Sequence, residues 1–267
     1  MDAMQEAPLG PEVTEGDLKY VIGVKTAGRT SVGWSPHLRR RFGYYTPSEW
    51  YQAVVHRLVG PNTDWLDVGC GRDVFHFNYP LAQKLAARCR HLTGLDPSDN
   101  IDANDLVHEK VRSSIEDYRP DRRFDLITLS MVAEHITNPL PAVQSLAHLA
   151  RPGGRVVVYT VNKWSPVTLL SAASPLSFHH WAKGLFWDAE EKDTFATAYR
   201  MNTRRALREL FAQAGFAEEK FVRLDDCRTL GMWRWSSAME LAIWKVLHAI
   251  GLHYPENCLL GIYRKLA

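Results

Sequence analysis

The sequence Trp65-Leu66-Asp67-Val68-Gly69-Cys70-Gly71-Arg72 decides the fold, and the rest of the chain is interpreted around it. Its apolar run ends in Asp67 and Val68 and is followed by two glycines, Gly69 and Gly71, with one residue between them. The run predicts a buried strand, and the glycines predict a tight loop on which a ligand can lie, because glycine has no Cβ. In parallel α/β sheets, such a loop at the carboxyl end of the first strand binds cofactors. The alternative interpretation is a plain tight turn.

A second acid supports the ligand interpretation. Residues 91–98, His-Leu-Thr-Gly-Leu-Asp-Pro-Ser, predict a second strand that ends at Asp96, where a carboxylate can accept both hydroxyls of an adenosine ribose. The third glycine of a dinucleotide fingerprint is missing, because Val74 stands in its place. Asp67 and Asp73 flank the loop and would repel a pyrophosphate, whereas they favour the ammonium and sulfonium of S-adenosylmethionine. The loop therefore favours S-adenosylmethionine over NAD.

Over residues 45–224, the chain resembles the class I (Rossmann-like) S-adenosylmethionine-dependent methyltransferases of the small-molecule type. The glycine loop resembles their first motif, and residues 95–98 resemble the acidic end of their second strand. Residues 124–130, followed by Ala133-Glu134-His135, resemble their fourth strand and the helix start after it, and residues 149–155 resemble the turn into their fifth strand. The chain departs from the family at Asp73, where glycine is common.

The resemblance implies an α/β fold with a doubly wound, seven-stranded, mostly parallel sheet whose last strand is antiparallel. It also implies that S-adenosylmethionine is the cofactor. The expected cofactor-binding residues are Asp67, Gly69, Cys70, Gly71, Asp96, Pro97, Ser98, Ser114, Ile115 and Met131. Glu116 follows the expected third strand and is a further candidate for an adenine contact.

The expected organisation is a tail and lid segment at residues 1–45, followed by a single domain at residues 46–267. Thr46-Pro47-Ser48-Glu49 is a capping box that predicts a helix ending near Gly60, and the next helix is expected from Leu81. Later predictions are a third strand at 111–114, a fifth from Arg155, a helix to Ala214, a strand at 216–224 and a last strand at 258–263. Six of the nine tryptophans fall in two insertions, at about 162–200 and 225–256, and predict that these insertions build a helical, aromatic-rich cap.

Composition excludes several other classes of protein. The net charge of the 267 residues is only +2, so no nucleic-acid surface is expected, and the basic run His37–Arg41 is either a solvated arm or a site for a carboxylate or phosphate. Cys70, Cys89, Cys227 and Cys258 lack the spacing of a zinc site, so no metal is expected. Residues 1–15 are acidic and contain no long apolar run, which predicts a cytoplasmic protein with no membrane partner.

Methyl transfer from a sulfonium needs an in-line, dry arrangement and little covalent help. A general base is needed only where the acceptor must lose a proton; the candidates are His135, His179 and His180, with Glu134 as a further possibility. The prediction is methyl transfer to oxygen or nitrogen of a small, aromatic or apolar molecule of secondary metabolism. The alternatives are a C-methyltransferase with a carboxylate base and an inactive cofactor-binding module. The sequence leaves monomer and homodimer open.

Overall fold

The computed structural model describes residues 13–27, 33–166, 168–169 and 197–267, and they contain one seven-stranded sheet. Its order is β3-β2-β1-β4-β5-β7-β6. Strands β1 to β5 are parallel, and β7 is antiparallel to both of its neighbours, as predicted. The strands are β1 (Asp64–Val68), β2 (His91–Asp96), β3 (Glu109–Arg112), β4 (Phe124–Ser130), β5 (Ala150–Val161), β6 (Phe216–Leu224) and β7 (Cys258–Lys265).

Helices cover both faces of this sheet, which confirms the doubly wound fold. The described α-helices are α1 (Glu15–Thr26), α2 (Trp34–Phe42), α3 (Pro47–Leu58), α4 (Tyr79–Arg88), α5 (Pro139–Leu149), α6 (Arg204–Gln213) and α7 (Arg234–Ala249). Neighbouring strand residues face opposite sides of the sheet. Trp65 and Val157 therefore belong to the core under α1, α3 and α4, whereas Leu66 and Val158 belong to the core under α5 and α6.

Several boundaries differ from those predicted. Helix α4 begins at Tyr79 and not near Leu81, because Pro80 fits the first turn, where a missing N–H breaks no helical hydrogen bond. Strand β3 covers residues 109–112 and lies two residues earlier than expected, and β5 already begins at Ala150 with a register irregularity against β4. Helix α3 and strand β6 match their predictions.

The N-terminal segment packs on the domain at two places. Helix α1 lies against α3 and α4, and α2 lies against α7. The second contact is a small core of Tyr44, Cys227 and Leu241, with Phe42 and Trp244 at its border. The Tyr44 hydroxyl donates to the carbonyl of Asp225 at 2.9 Å. Residues 17–45 therefore pack on the domain where they are described, while their role as a lid stays a prediction.

Helix α7 and its flanking loops occupy residues 225–256, and the role of this range as a cap insertion stays a prediction. Most of the first insertion, including His179 and His180, lies outside the described residues. None of the helices in the described ranges combines the length and the apolar character needed to cross a bilayer.

Candidate active site

The loop between β1 and α4 has two left-handed glycines with different surroundings. Gly69 has φ 68°, and a Cβ built on it would lie 2.3 Å from Cγ2 of Val132, so only glycine lets the loop approach the end of β4. Gly71 has φ 47°, and a Cβ there would have no neighbour within 4 Å. The first glycine is therefore required by packing, and the second borders open space in which a ligand can approach the backbone.

Asp96 holds this loop from the end of β2. Its Oδ2 accepts the backbone N–H of Gly71 at 2.9 Å, and its Oδ1 accepts the N–H of Ser98 at 2.8 Å and the hydroxyl of Ser98 at 2.6 Å. The backbone N–H of Gly69 also donates to the carbonyl of Leu95 at 2.7 Å. Asp96, Ser98 and the glycine loop thus meet at one place, with Pro97 exposed between the first two.

Asp67 is buried at the end of β1. Its Oδ1 accepts the Thr128 hydroxyl at 2.6 Å, and the Thr128 oxygen accepts the indole N–H of Trp65 at 2.7 Å. Burial raises the pKa of Asp67 to about 7, against the hydrogen bond from Thr128, and the negative charge of Asp96 raises it further. The ligand-free protein therefore carries a carboxyl at this edge that is easily protonated near neutral pH.

Cys70 contributes its backbone to the loop and its side chain to the core. A Cβ added to Gly94 would lie 2.7 Å from the Cys70 sulfur, so Gly94 makes room for the thiol. Burial raises the pKa of Cys70 far above its usual value, which keeps the thiol protonated. The side chain therefore acts in packing and not as a nucleophile.

The stretch after β3 approaches the end of β2, and its contact with adenine stays a prediction. The backbone N–H of Ser113 donates to the carbonyl of Asp96 at 3.2 Å. Ser114 donates its hydroxyl to Asp117 at 2.7 Å, Ile115 is buried in the core, and Glu116 is half-buried.

Met131 follows β4 in a conformation that is rare for a residue with a side chain. Its φ is 55°, and its backbone N–H donates to the carbonyl of Tyr159 at 2.8 Å. Such a conformation costs on the order of 1–3 kcal/mol and is frequent at functional edges. The exposed Met131 side chain lies at the strand end that the resemblance indicates.

The candidate bases on the next turn differ in their surroundings. Glu134 is buried, and its carboxylate accepts the Thr160 hydroxyl at 2.7 Å, while Asn202 donates to the oxygen of Thr160 at 2.7 Å. The carbonyl of Glu134 also accepts the N–H groups of Ala198 and Tyr199. His135 is half-buried beside it. Glu134 therefore joins β5 to residues 198–202.

Tyr51 on α3 lies near Asp67 at the end of β1, a placement that the sequence did not indicate. Its ring stacks on Tyr159 at a centroid distance of 5.2 Å and meets Phe75 edge-on at 5.9 Å. Burial and the nearby Asp67 raise the pKa of Tyr51 well above its usual value. Interactions with the Thr128 and Ser130 side chains oppose this rise in the pKa. The capping box located the helix, but no sequence signal shows that Tyr51 reaches the end of β1.

The aromatic stretch after the glycine loop divides between core and surface. Phe75 is buried against Trp65 at a centroid distance of 6.3 Å. Phe77 and Tyr79 are exposed, and His76 packs on Phe77 at 4.3 Å. Phe75 therefore belongs to the core, whereas Phe77 and Tyr79 belong to the surface.

Comparison with curated sequences gives short, partial matches. A ubiquinone biosynthesis O-methyltransferase from Aromatoleum aromaticum is 32% identical over 108 residues, which are 37% of this chain and 44% of that protein. A ubiquinone biosynthesis O-methyltransferase from Xylella fastidiosa is 28% identical over 149 residues, 52% of this chain and 58% of that protein. The chain thus spans about half the length of the curated relatives it matches.

Solved structures share the fold at low identity. An S-adenosylmethionine-dependent methyltransferase from Mesorhizobium loti has a TM-score of 0.54 and 20% identity, covering 82% of this chain and 98% of that one. The [4+2]-cyclase SpnF has a TM-score of 0.52 and 16% identity, covering 94% of both chains.

A family model described as a methyltransferase domain matches residues 39–220, which is more than half of the chain. This range contains the glycine loop, Asp96, Met131 and Glu134, and therefore the whole edge described above. The chain belongs to the class I S-adenosylmethionine-dependent methyltransferases.

Proposed function

We propose that this protein transfers the methyl group of S-adenosylmethionine to an oxygen or nitrogen atom of a small, aromatic or otherwise apolar molecule. The observation that carries the proposal is the open Gly71 backbone held beside Asp96 and close to Asp67. The names of the curated relatives favour oxygen as the acceptor atom.

The site fits the cofactor in both shape and charge. Open space at Gly71 lets the backbone of Gly69, Cys70 and Gly71 lie against the ligand. We assign the ribose to Asp96, with Pro97 and Ser98 beside it, and the cationic amino-acid end to Asp67. Ser114, Ile115 and Met131 are the proposed contacts of the adenine and methionyl parts.

The bound cofactor supplies a methyl group on a positively charged sulfur, whose carbon–sulfur bond breaks as the acceptor attacks. The protein aligns the acceptor and excludes water, which is the main requirement of this displacement. The acceptor's proton would pass to His135, or to His179 or His180. Glu134 is engaged with Thr160 in a buried network, so we assign it a positioning role, and the C-methyltransferase alternative would then need another carboxylate as base.

Calorimetry with S-adenosylhomocysteine tests the cofactor assignment. We expect Asp96→Ala to lower the affinity by roughly 10- to 100-fold, because a charge-assisted hydrogen bond contributes about 1.5–3 kcal/mol. Asp99→Ala is the matched control, since Asp99 is an exposed acid just beyond Ser98. Circular dichroism verifies the fold, because Asp96 also holds Gly71 and Ser98. Unchanged affinity in the Asp96 variant would refute the assignment.

Turnover tests the transfer itself. The likeness to a [4+2]-cyclase shows that this fold also occurs in a protein named for another reaction, so binding alone is insufficient. The purified protein is incubated with S-adenosylmethionine and a panel of phenols and aromatic amines, and formation of S-adenosylhomocysteine is measured. Binding without product across the panel would favour the cofactor-binding module.

A further inference from the structure

Helix α7 exposes an apolar face to solvent. At 3.6 residues per turn, five apolar residues of this helix and its C-cap lie within about 100° of the helix circumference: Trp235, Met239, Ile243, Val246 and Ile250. Trp235 is 67% exposed, Val246 60% and Ile250 64%. Met239 and Ile243 lie on the same face and are also exposed. The opposite side of α7 contacts the domain through Leu241 and Trp244.

The loop before α7 enlarges this apolar surface. Trp233 is exposed, and its ring stacks on Trp235 at 6.0 Å with an interplanar angle of 7°. Leu230 and Met232 precede it, and Leu252 follows the helix, all of them exposed. Contiguous apolar patches of this kind are unusual on monomeric soluble proteins and mark interaction sites. We call residues 230–235 with Met239, Ile243, Val246, Ile250 and Leu252 the α7 surface.

The exposed ionic side chains around the α7 surface are basic. Within residues 229–252, which are all described, Arg234 and Lys245 are exposed and lie along one border of the apolar face. The only acid in that range, Glu240, is buried and accepts the N–H groups of Thr229 and Leu230.

Neither Arg234 nor Lys245 forms an ion pair with a carboxylate of the described residues. The basic run at residues 37–41 lies on α2, which contacts α7 through Leu38 and Phe42, whereas Arg40 donates to the Thr26 hydroxyl of α1 at 3.4 Å.

We propose that the α7 surface attaches the protein to an anionic lipid bilayer, in place of the expectation from residues 1–15 that the protein has no membrane partner. Tryptophan is favoured at the boundary between headgroups and acyl chains, and an amphipathic helix with basic residues beside its apolar face binds in that plane. Arg234 and Lys245 complement anionic headgroups. A second copy would bring the same two cations to the contact and no exposed acid from residues 229–252, so charge complementarity favours lipid over self-association.

This attachment has a consequence for the acceptor. The loop before α7 follows the carboxyl end of β6, and β6 runs in the same direction as β4 and β5, as its antiparallel pairing with β7 requires. The α7 surface therefore lies at the same edge of the sheet as Met131 and the glycine loop. An apolar acceptor dissolved in the bilayer would reach the protein at its functional edge.

Vesicle flotation of the full chain tests the proposal. We expect flotation with vesicles of phosphatidylcholine mixed with phosphatidylglycerol, and much less with phosphatidylcholine alone. Arg234→Gln combined with Lys245→Gln should weaken the partition coefficient roughly 30-fold, since each cation near the surface contributes about 1 kcal/mol. Trp235→Ser combined with Ile250→Ser should weaken it by at least about tenfold through lost apolar burial.

Leu140→Ser is the matched control, because Leu140 is an exposed apolar residue on α5, outside the α7 surface. Calorimetry with S-adenosylhomocysteine is run on every variant, so loss of flotation with intact cofactor binding separates this proposal from the proposed function. Absence of flotation with either vesicle, or equal loss in the Leu140 control, would overturn the proposal. So would sedimentation showing a dimer that the Trp235 and Ile250 changes dissociate.

Discussion

Burial gives Asp67 a higher pKa than an exposed aspartate has. Its pKa rises to about 7, mainly because the carboxylate loses its water, while the Thr128 hydroxyl retains one hydrogen bond. A cationic ligand group would reverse part of this penalty by stabilising the ionised form. The same side chain therefore destabilises the ligand-free protein at neutral pH and can attract the cofactor.

A pH series on Asp67→Asn tests this dual role. Because the folded pKa of about 7 exceeds the ordinary value of 3.8, the wild-type free energy of unfolding should fall as pH rises from about 4 to about 7. The variant should lack this fall and be the more stable protein at about pH 8, since an amide needs no ionisation. Chemical denaturation at several pH values measures it, and an identical slope in both proteins would contradict it.

The affinity for the cofactor product should rise with pH, whereas the free energy of unfolding falls. In the wild type, calorimetry should show S-adenosylhomocysteine binding more tightly at about pH 8 than at about pH 6, because ionised Asp67 attracts the ligand's ammonium group. In Asp67→Asn the affinity should be lower and nearly independent of pH in this range. If the affinity depended on pH equally in the two proteins, the assignment of Asp67 to the cofactor site would be refuted.

At the scale of single elements, α3 shows what a local signal can and cannot reveal. The Thr46 N–H donates to Glu49 at 2.8 Å and the Glu49 N–H donates to the Thr46 hydroxyl at 3.4 Å, so the predicted capping box is present. The capping box could be predicted from the sequence because its two partners are only three residues apart. The contact of Tyr51 with Tyr159 joins residues more than a hundred positions apart, and no local pattern indicates it.

Removal of this cap should destabilise the protein without altering its chemistry. Thr46 and Glu49 are both buried, and Thr46→Ala removes the hydroxyl acceptor of the cap, so the Glu49 N–H keeps only the Thr46 carbonyl at 2.9 Å. We expect a loss of about 1 kcal/mol in the free energy of unfolding, measured by denaturant titration, and little change for Thr46→Ser. If the serine variant were as unstable as the alanine variant, the methyl group and not the hydroxyl would be responsible.

At the scale of the whole molecule, stability and function lie at opposite edges of the sheet. At the amino-terminal edge, Asp64 accepts hydrogen bonds from Arg90 Nε at 2.7 Å and from Arg151 Nη2 at 2.6 Å, and Arg151 also pairs with Asp125. The hydrogen bond from Arg90 is the main cause that lowers the pKa of Asp64 to about 2, against its burial and with help from Arg151. These residues tie β1, β4 and β5 together far from the glycine loop.

Asp64→Asn should therefore affect folding and leave the site intact. Because the folded pKa lies below the ordinary value, the stabilisation is present above about pH 4 and is lost as pH falls toward about 2. We expect the variant to lose about 1–2 kcal/mol at neutral pH after allowance for solvent screening, with unchanged affinity for S-adenosylhomocysteine. Denaturation and calorimetry measure the two quantities.

Glu209→Gln is the control, since its i,i+4 pair with Arg205 is exposed and should contribute only a few tenths of a kcal/mol. A loss of cofactor affinity in the Asp64 variant would contradict the separation of the two edges.

The sequence by itself indicated the glycine loop with its two acids, because these features depend on patterns within one strand–loop–helix unit, where spacing along the chain sets spacing in space. The parallel sheet with an antiparallel last strand was implied by the resemblance to the methyltransferase family, which rests on several motifs along residues 45–224. Tertiary structure alone decided that Gly69 is required by Val132, that burial raises the pKa of Asp67 and that Glu134 is engaged with Thr160. These facts arise between strands that are distant in sequence, and burial and hydrogen bonding across such contacts depend on the assembled sheet.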